Sequence, residues 1–256
     1  MSSSTSTLAY DIIARDRASS TFSKIGRAAG ALGVGLGTIQ LANFVKDSVL
    51  AEATFSQTMA SVQVNANLGS RALGQMSDLA LKFGQDTVYS ANEAAQAMLE
   101  LSKGGMTAAQ IKAGALKSTL NLAATEGIAL GDSATIVART LKTFGLNAGD
   151  ANKAVDMLAG GSLASTAGVQ DLADALKYVG TTARTSGYGL SDTVTALAAL
   201  TDSGISSTTA GTALNRMLLG LTLGTTKASQ TAKELGLSFT DAKGNLLPMV
   251  DVVKRL

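Results

Sequence analysis

The chain of 256 residues has no cysteine, no histidine and no tryptophan, and its single proline is Pro248. Without cysteine there can be no disulfide, thiolate nucleophile, iron–sulfur cluster or cysteine zinc site. Without histidine the commonest general base and transition-metal ligand is missing. Neither a serine–histidine triad nor a histidine–zinc hydrolase can be assembled. Aromatic residues make up only 4% of the chain, so the core has to be built from close-packed aliphatic and small side chains. Net charge is scarce too. The 21 Lys and Arg against 19 Asp and Glu leave +2, too little for a dedicated nucleic-acid binder. Arg15, Arg17, Lys24 and Arg27, set against Asp11 and Asp16, account for all of that excess.

Alanine is plentiful, with 43 residues, and 27 glycines punctuate it. Alanine is the strongest helix former and little here breaks a helix, so the composition predicts a mainly α protein, a bundle of short amphipathic helices. Three regions follow in order. Residues 1–27 open with a polar tail, Met1–Thr7, expected to be disordered, then a short strand at Leu8–Ala14 and a helical pattern through Ala18, Phe22, Ile25 and Ala29.

Residues 28–45 are uncharged and rich in Gly and Ala. Gly26 and Gly30, and again Gly33 and Gly37, show the small-xxx-small spacing that lets helices approach closely in a membrane. The stretch is at the lower limit for crossing a bilayer, which takes about 20 residues. Two readings stay open, a glycine-loosened hinge or buried helix, and a membrane-active segment. Gly33-Val-Gly35-Leu-Gly37 is not a dinucleotide loop, because its third glycine comes too early and no βαβ unit surrounds it. The region before it is too long and contains acids, which argues against a cleaved signal peptide.

Residues 46–256 read as successive helices. The expected spans are Leu41–Asn67, Ser70–Phe83 stopped by Gly84, and one from Ser90 to Gly104. Another runs from Thr107 to Glu126, followed by Asp132–Phe144, Asp150–Leu158, Val169–Thr185, Asp192–Asp202 and Thr208–Leu221. Ser90 with Glu93 and Thr107 with Gln110 are capping boxes. Leu237–Leu247, with a turn from Asp241 to Asn245, is expected to be a β-hairpin. Pro248 then suits the first position of a last helix. The sequence stops about two turns later without a C-cap, which reads as part of a longer protein.

Several stretches resemble one family. Phe55-Ser-Gln-Thr-Met59 resembles the opening of the core domain of phage tail tape-measure proteins. Ala91-Asn-Glu-Ala-Ala-Gln-Ala-Met-Leu-Glu-Leu-Ser-Lys-Gly-Gly105 is similar to the helix that follows in that family. Leu120-Asn-Leu-Ala-Ala124, Thr143-Phe-Gly-Leu146 and Ala154-Val-Asp-Met-Leu158 continue in its order. Ala210-Gly-Thr-Ala-Leu-Asn-Arg-Met-Leu218 is the most distinctive piece, and Glu234-Leu-Gly-Leu237 with Asp241–Pro248 resembles its closing hairpin.

The resemblance implies a structural protein lying inside the tail tube, governing tail length and assembly, and released ahead of DNA during genome ejection. Its implied partners are other copies around the tail axis, tail-tube and tail-tip or baseplate proteins, assembly chaperones and, during infection, the host membrane. It implies a virion location in the tail lumen, host cytoplasm during assembly, and the host envelope on infection. The resemblance also implies long helical regions beyond this domain. The alternative function is a membrane-inserting helical protein that helps DNA across the host envelope.

No enzyme, cofactor, metal or sequence-specific nucleic-acid role is expected. Asp171 and Asp174 share a helix face and could mimic a paired acid site, but together with Glu93, Glu100, Glu126 and Asp132 they read as solvated helix surface. The residues singled out are structural. Ser90, Glu93, Thr107 and Gln110 cap helices, Gly211 permits a close helix contact, and Phe55 and Met59 are core or inter-subunit contacts.

Overall fold

A computed structural model of the chain describes residues 38–222 together with Gln230, Thr231, Glu234, Leu247, Pro248 and Val252. The expected polar tail, the strand Leu8–Ala14, the Gly26, Gly30, Gly33 and Gly37 spacing, and all of the Leu237–Leu247 hairpin except Leu247 lie outside the described residues. Among the described residues the protein is mainly helical, with no strand.

The helices are α1 (Thr38–Asn65), α2 (Ser70–Asp86), α3 (Ala91–Lys103), α4 (Leu116–Glu126), α5 (Leu130–Phe144), α6 (Ala151–Leu163), α7 (Val169–Thr185), α8 (Leu190–Asp202) and α9 (Ser207–Thr222). A helical turn Ala108–Gln110 and a π-helical stretch Ile111–Ala115 lead into α4, and a 3-10 turn Ala148–Asp150 leads into α6. The chain divides into two compact units, Met1–Gln57 and Thr58–Leu256. In the first, Thr38–Gln57 is helical, and its side chains from Leu50 to Gln57 are exposed apart from half-buried Phe55.

The described helices of the second unit form an array in which α2 packs on α3, and from α3 onward each helix packs on its chain neighbour and on the next but one. α3, α5, α7 and α9 pack in succession as one row, and α4, α6 and α8 as a second, while helices further apart along the chain make at most marginal contact. Most linkers are too short for anything but a reversal of direction, so the two rows run antiparallel. Side-chain bonds join like ends as that arrangement requires. Lys112 Nζ donates to Gln75 Oε1 at 2.9 Å near the starts of the α4 segment and α2, and Ser162 Oγ to Glu126 Oε2 at 2.9 Å at the ends of α6 and α4.

Why the chain reverses so regularly is visible in the linkers. Five helical segments end in a glycine at positive φ, then an apolar residue: Gly105-Met106, Gly127-Ile128, Gly145-Leu146, Gly187-Tyr188 and Gly204-Ile205. The N–H of each apolar residue donates back to a carbonyl five residues earlier, at 3.1, 3.2, 2.8, 2.9 and 3.2 Å respectively. This is the Schellman closure, which satisfies carbonyls that the helix end leaves free. The residue after the apolar one starts the next helix.

The core is aliphatic, with Met76, Met98, Leu101, Leu158, Leu172 and Leu197 among its fully buried side chains. Phe144 and Tyr188 are the aromatics buried among the described side chains.

Three expected boundaries are corrected. Gly84 does not stop α2, which runs on to Asp86; a Cβ there would lie 2.6 Å from the Ala91 backbone nitrogen, so this glycine serves a close chain approach instead. α6 does not end at Leu158 but continues through Gly160 and Gly161 to Leu163, and a Cβ on Gly161 would strike the Val194 side chain. The helix opened by Thr107 is not continuous to Glu126. Gly114, at φ 141°, breaks it inside the π-helical stretch.

Candidate interaction surface

The singled-out residues are spread along the array rather than gathered in one site. Ser90 and Glu93 start α3. Glu93 N–H donates to Ser90 Oγ at 3.2 Å, and the Ser90 N–H and hydroxyl both donate to Glu93 Oε2 at 2.8 Å. Those two donors, the backbone N–H first and the hydroxyl second, hold the Glu93 carboxyl below its ordinary value against a smaller opposing effect of burial. The neighbouring Tyr89 hydroxyl is pushed up, by burial first and then by the Glu93 charge. Thr107 and Gln110 repeat the geometry, with Gln110 N–H donating to Thr107 Oγ1 at 3.4 Å and Thr107 N–H to Gln110 Oε1 at 2.8 Å.

Sequence reading found these two boxes but missed that acids do half of the same work elsewhere. Asp150 accepts from the Asn147 N–H at 3.2 Å, Asp171 from Gly168 at 3.3 Å and Asp192 from Gly189 at 3.3 Å. For Asp150 and Asp192, as for Gln110, the signal was available as a recurring order of glycine, apolar residue, cap, two residues, then an acid or amide; at Asp171 Thr166 stands in the place of the first glycine.

Gly211 sits where α9 crosses α7. A Cβ at Gly211 would lie 2.9 Å from Ala175 Cα and 3.0 Å from its carbonyl carbon, so the two backbones meet with no side chain between them. Met59 is 3% exposed and Phe55 half-buried. Pro248 accepts from the Val252 N–H at 3.0 Å through its carbonyl, and the Tyr188 hydroxyl donates to the Leu247 carbonyl at 2.6 Å. Val252 is buried against Met217, Leu221 and Leu247. Tyr188 ionisation is pushed upward, by burial first and then by the charge of Asp192.

A groove of about 150 Å³ lies between α5 and α7, lined by Ile136, Phe144 and Leu176 together with Asp132, Arg139 and Lys177. Drug-sized sites usually exceed about 300 Å³, so the groove suits water or a single side chain rather than a cofactor. Asp171 and Asp174 do not form an acid pair. Asp171 caps α7, and Asp174 is ion-paired with Lys177. Among the described residues no group of carboxylates is placed to hold a metal ion, and no helix is long and apolar enough to cross a membrane.

Repeated helix reversals and glycine-mediated backbone contacts make the described residues of the second unit an array of helices. Comparison with known proteins gives the family. A profile described as phage-related minor tail protein matches residues 77–256, and the chain belongs to that family. A tape measure protein of Pneumococcus phage Dp-1 is 34% identical over 236 residues, covering 91% of this chain and 20% of that protein. A probable tape measure protein of Escherichia phage P2 is 28% identical over 229 residues, covering 89% of this chain and 28% of that protein. The chain therefore spans from 20% to 28% of the length of these relatives. No solved structure matches it.

Proposed function

We propose that this chain is a core-domain segment of a tail tape-measure protein, a mechanical part of the phage tail rather than an enzyme. The observation that carries the reading is the alignment of nine-tenths of the chain with proteins named for that role. The physical organisation supports it. Helical length converts to distance at about 1.5 Å per residue. The array holds its helices by small-residue contacts and reversible caps rather than by disulfides or large aromatic clusters.

In this reading the protein occupies the tail lumen of the virion after assembly in the host cytoplasm. It meets tail-tube and tail-tip proteins, chaperones and further copies of itself, and leaves ahead of the genome. In-frame removal of α3 through α5 from the phage gene tests it. The expected outcome is loss of tails of defined length in electron micrographs. Normal tails of unchanged length would overturn it.

A further inference from the structure

The charges of the second unit are sorted by edge. The reversal of each helix puts the starts of α3, α5 and α7 beside the ends of α2, α4 and α8. That edge carries Asp86, Glu93, Glu126, Asp132, Asp171 and Asp202, all exposed except half-buried Glu126. The opposite edge carries Arg71, Lys103, Lys112, Lys142, Lys153 and Arg184, all exposed.

Among the described residues none of those six acids is in an ion pair; Lys82 lies one turn before the end of α2, and Arg139 and Lys177 line the groove that Asp132 also lines. On the basic edge Glu100 pairs with Lys103 at 2.9 Å and Asp150 with Lys153 at 3.5 Å, which leaves Asp192 as its one described acid outside an ion pair; it caps α8 through the Gly189 N–H as Glu93 and Asp171 cap helices on the acidic edge. Arg71, Lys112, Lys142 and Arg184 keep their charge unpaired by any carboxylate described.

Helix electrostatics explain only half of this sorting. Acids at the starts and bases at the ends of α3, α5 and α7 suit the macrodipole. Glu126 and Asp202 at the last residues of α4 and α8, Arg71 in the first turn of α2 and Lys153 in that of α6 oppose it. Attraction between the edges within one molecule does not explain it either. A helix of 13 to 17 residues separates them by about 20–25 Å, beyond the Debye length of about 8–10 Å.

We propose that these edges are complementary docking surfaces, the basic edge of one copy of this chain meeting the acidic edge of the next, head to tail. The same helices set the spacing of charges on both edges, so the two match in pitch by construction. A contact of this heterologous kind closes into a ring or extends as a stack. It names the surface for the contact between copies placed in the tail above, and rests on that reading only for its setting.

The test uses the full chain in two triple variants. One reverses the basic edge (Arg71→Glu, Lys112→Glu, Lys142→Glu), and the other reverses the acidic edge (Asp86→Lys, Asp132→Lys, Asp202→Lys). Sedimentation velocity should show the unaltered chain associating at ~0.05 M salt and dissociating at ~0.5 M. Each variant alone, with helicity by circular dichroism unchanged, should stay monomeric, and an equimolar mixture of the two should associate again. An unaltered chain that stays monomeric at low salt, or variants that fail to rescue each other, would overturn the proposal. So would salt-sensitive binding of the basic edge to duplex DNA without self-association. None of these outcomes bears on the tail-length deletion, so the two readings fail separately.

Discussion

Ser90 and Glu93 show how one residue pair fixes where a helix begins. The serine hydroxyl takes the Glu93 N–H while the carboxylate takes the Ser90 N–H, so two otherwise orphaned donors are satisfied at once. Because the folded Glu93 carboxyl is held low, its contribution is present above the ordinary glutamate value of about 4.3 and is lost as pH falls through the folded value. Ser90→Ala should cost about 1 kcal/mol in urea denaturation at neutral pH. In an NMR titration the Glu93 carboxyl should move only part of the way back up, since the larger contribution, the backbone N–H, survives the change. An unmoved titration would show that the hydroxyl does not hold the carboxylate.

Two glycines separate conformation from space at the same scale. Gly127 has φ 65° and nothing within 4 Å of a built Cβ, so Gly127→Ala meets only the left-handed penalty of about 1–2 kcal/mol. Gly211 lies inside α9, where alanine is the better helix former by about 1 kcal/mol, yet its Cβ would enter the Ala175 backbone. Gly211→Ala should therefore destabilise by about 1–3 kcal/mol despite its propensity gain. A stabilised Gly211→Ala protein in the same urea series would mean that α7 and α9 separate freely.

At the level of elements, most helices were legible because alanine-rich stretches end at glycines and begin at polar caps. Val169–Thr185 is observed with the expected bounds, and α3 starts where its capping box places it. What failed has a common physical cause, since glycine has two uses. Gly127 and Gly145 end helices through positive φ, whereas Gly84 and Gly161 lie inside helices because a neighbour leaves no room for a Cβ. Sequence alone does not tell these uses apart, as the second depends on a contact from another helix. The caps at Ser90 and Thr107 and the close approach at Gly211 were legible one at a time, while the sorting of charge onto two edges appeared only once the helix reversals were known.

Tyr188 joins two elements distant in sequence. It is the apolar residue of the α7–α8 linker and at the same time donates to the Leu247 carbonyl. Its ionisation is raised in the fold, so the associated stability is complete below the ordinary tyrosine value near 10 and is lost as pH climbs through the folded value. Tyr188→Phe keeps the buried ring and removes the donor. Hydrogen exchange at Val252 should accelerate in this variant while exchange within α3 stays unchanged. Equal acceleration in both would mean that Tyr188 acts on the whole unit.

For the molecule as a whole, the decisive property is that the described helices of the second unit pack chiefly on the neighbouring helix and the next but one. Such an array behaves as nearly one-dimensional, with stability summed from local pieces and their interfaces, so terminal helices can detach while the middle holds. A closed core would be expected to unfold as one event. Calorimetry of the chain should accordingly give a van't Hoff enthalpy well below the calorimetric one, and hydrogen exchange should show graded protection that peaks around α5 and α7. The interfaces there are held by aliphatic contacts and close glycines such as Gly180 against Thr143 and Phe144, with no disulfide to lock them. In the tail role proposed above, stepwise release would lower the largest barrier met at any moment. Equal van't Hoff and calorimetric enthalpies, or a melting temperature in the hyperstable range above about 90 °C, would rule this behaviour out.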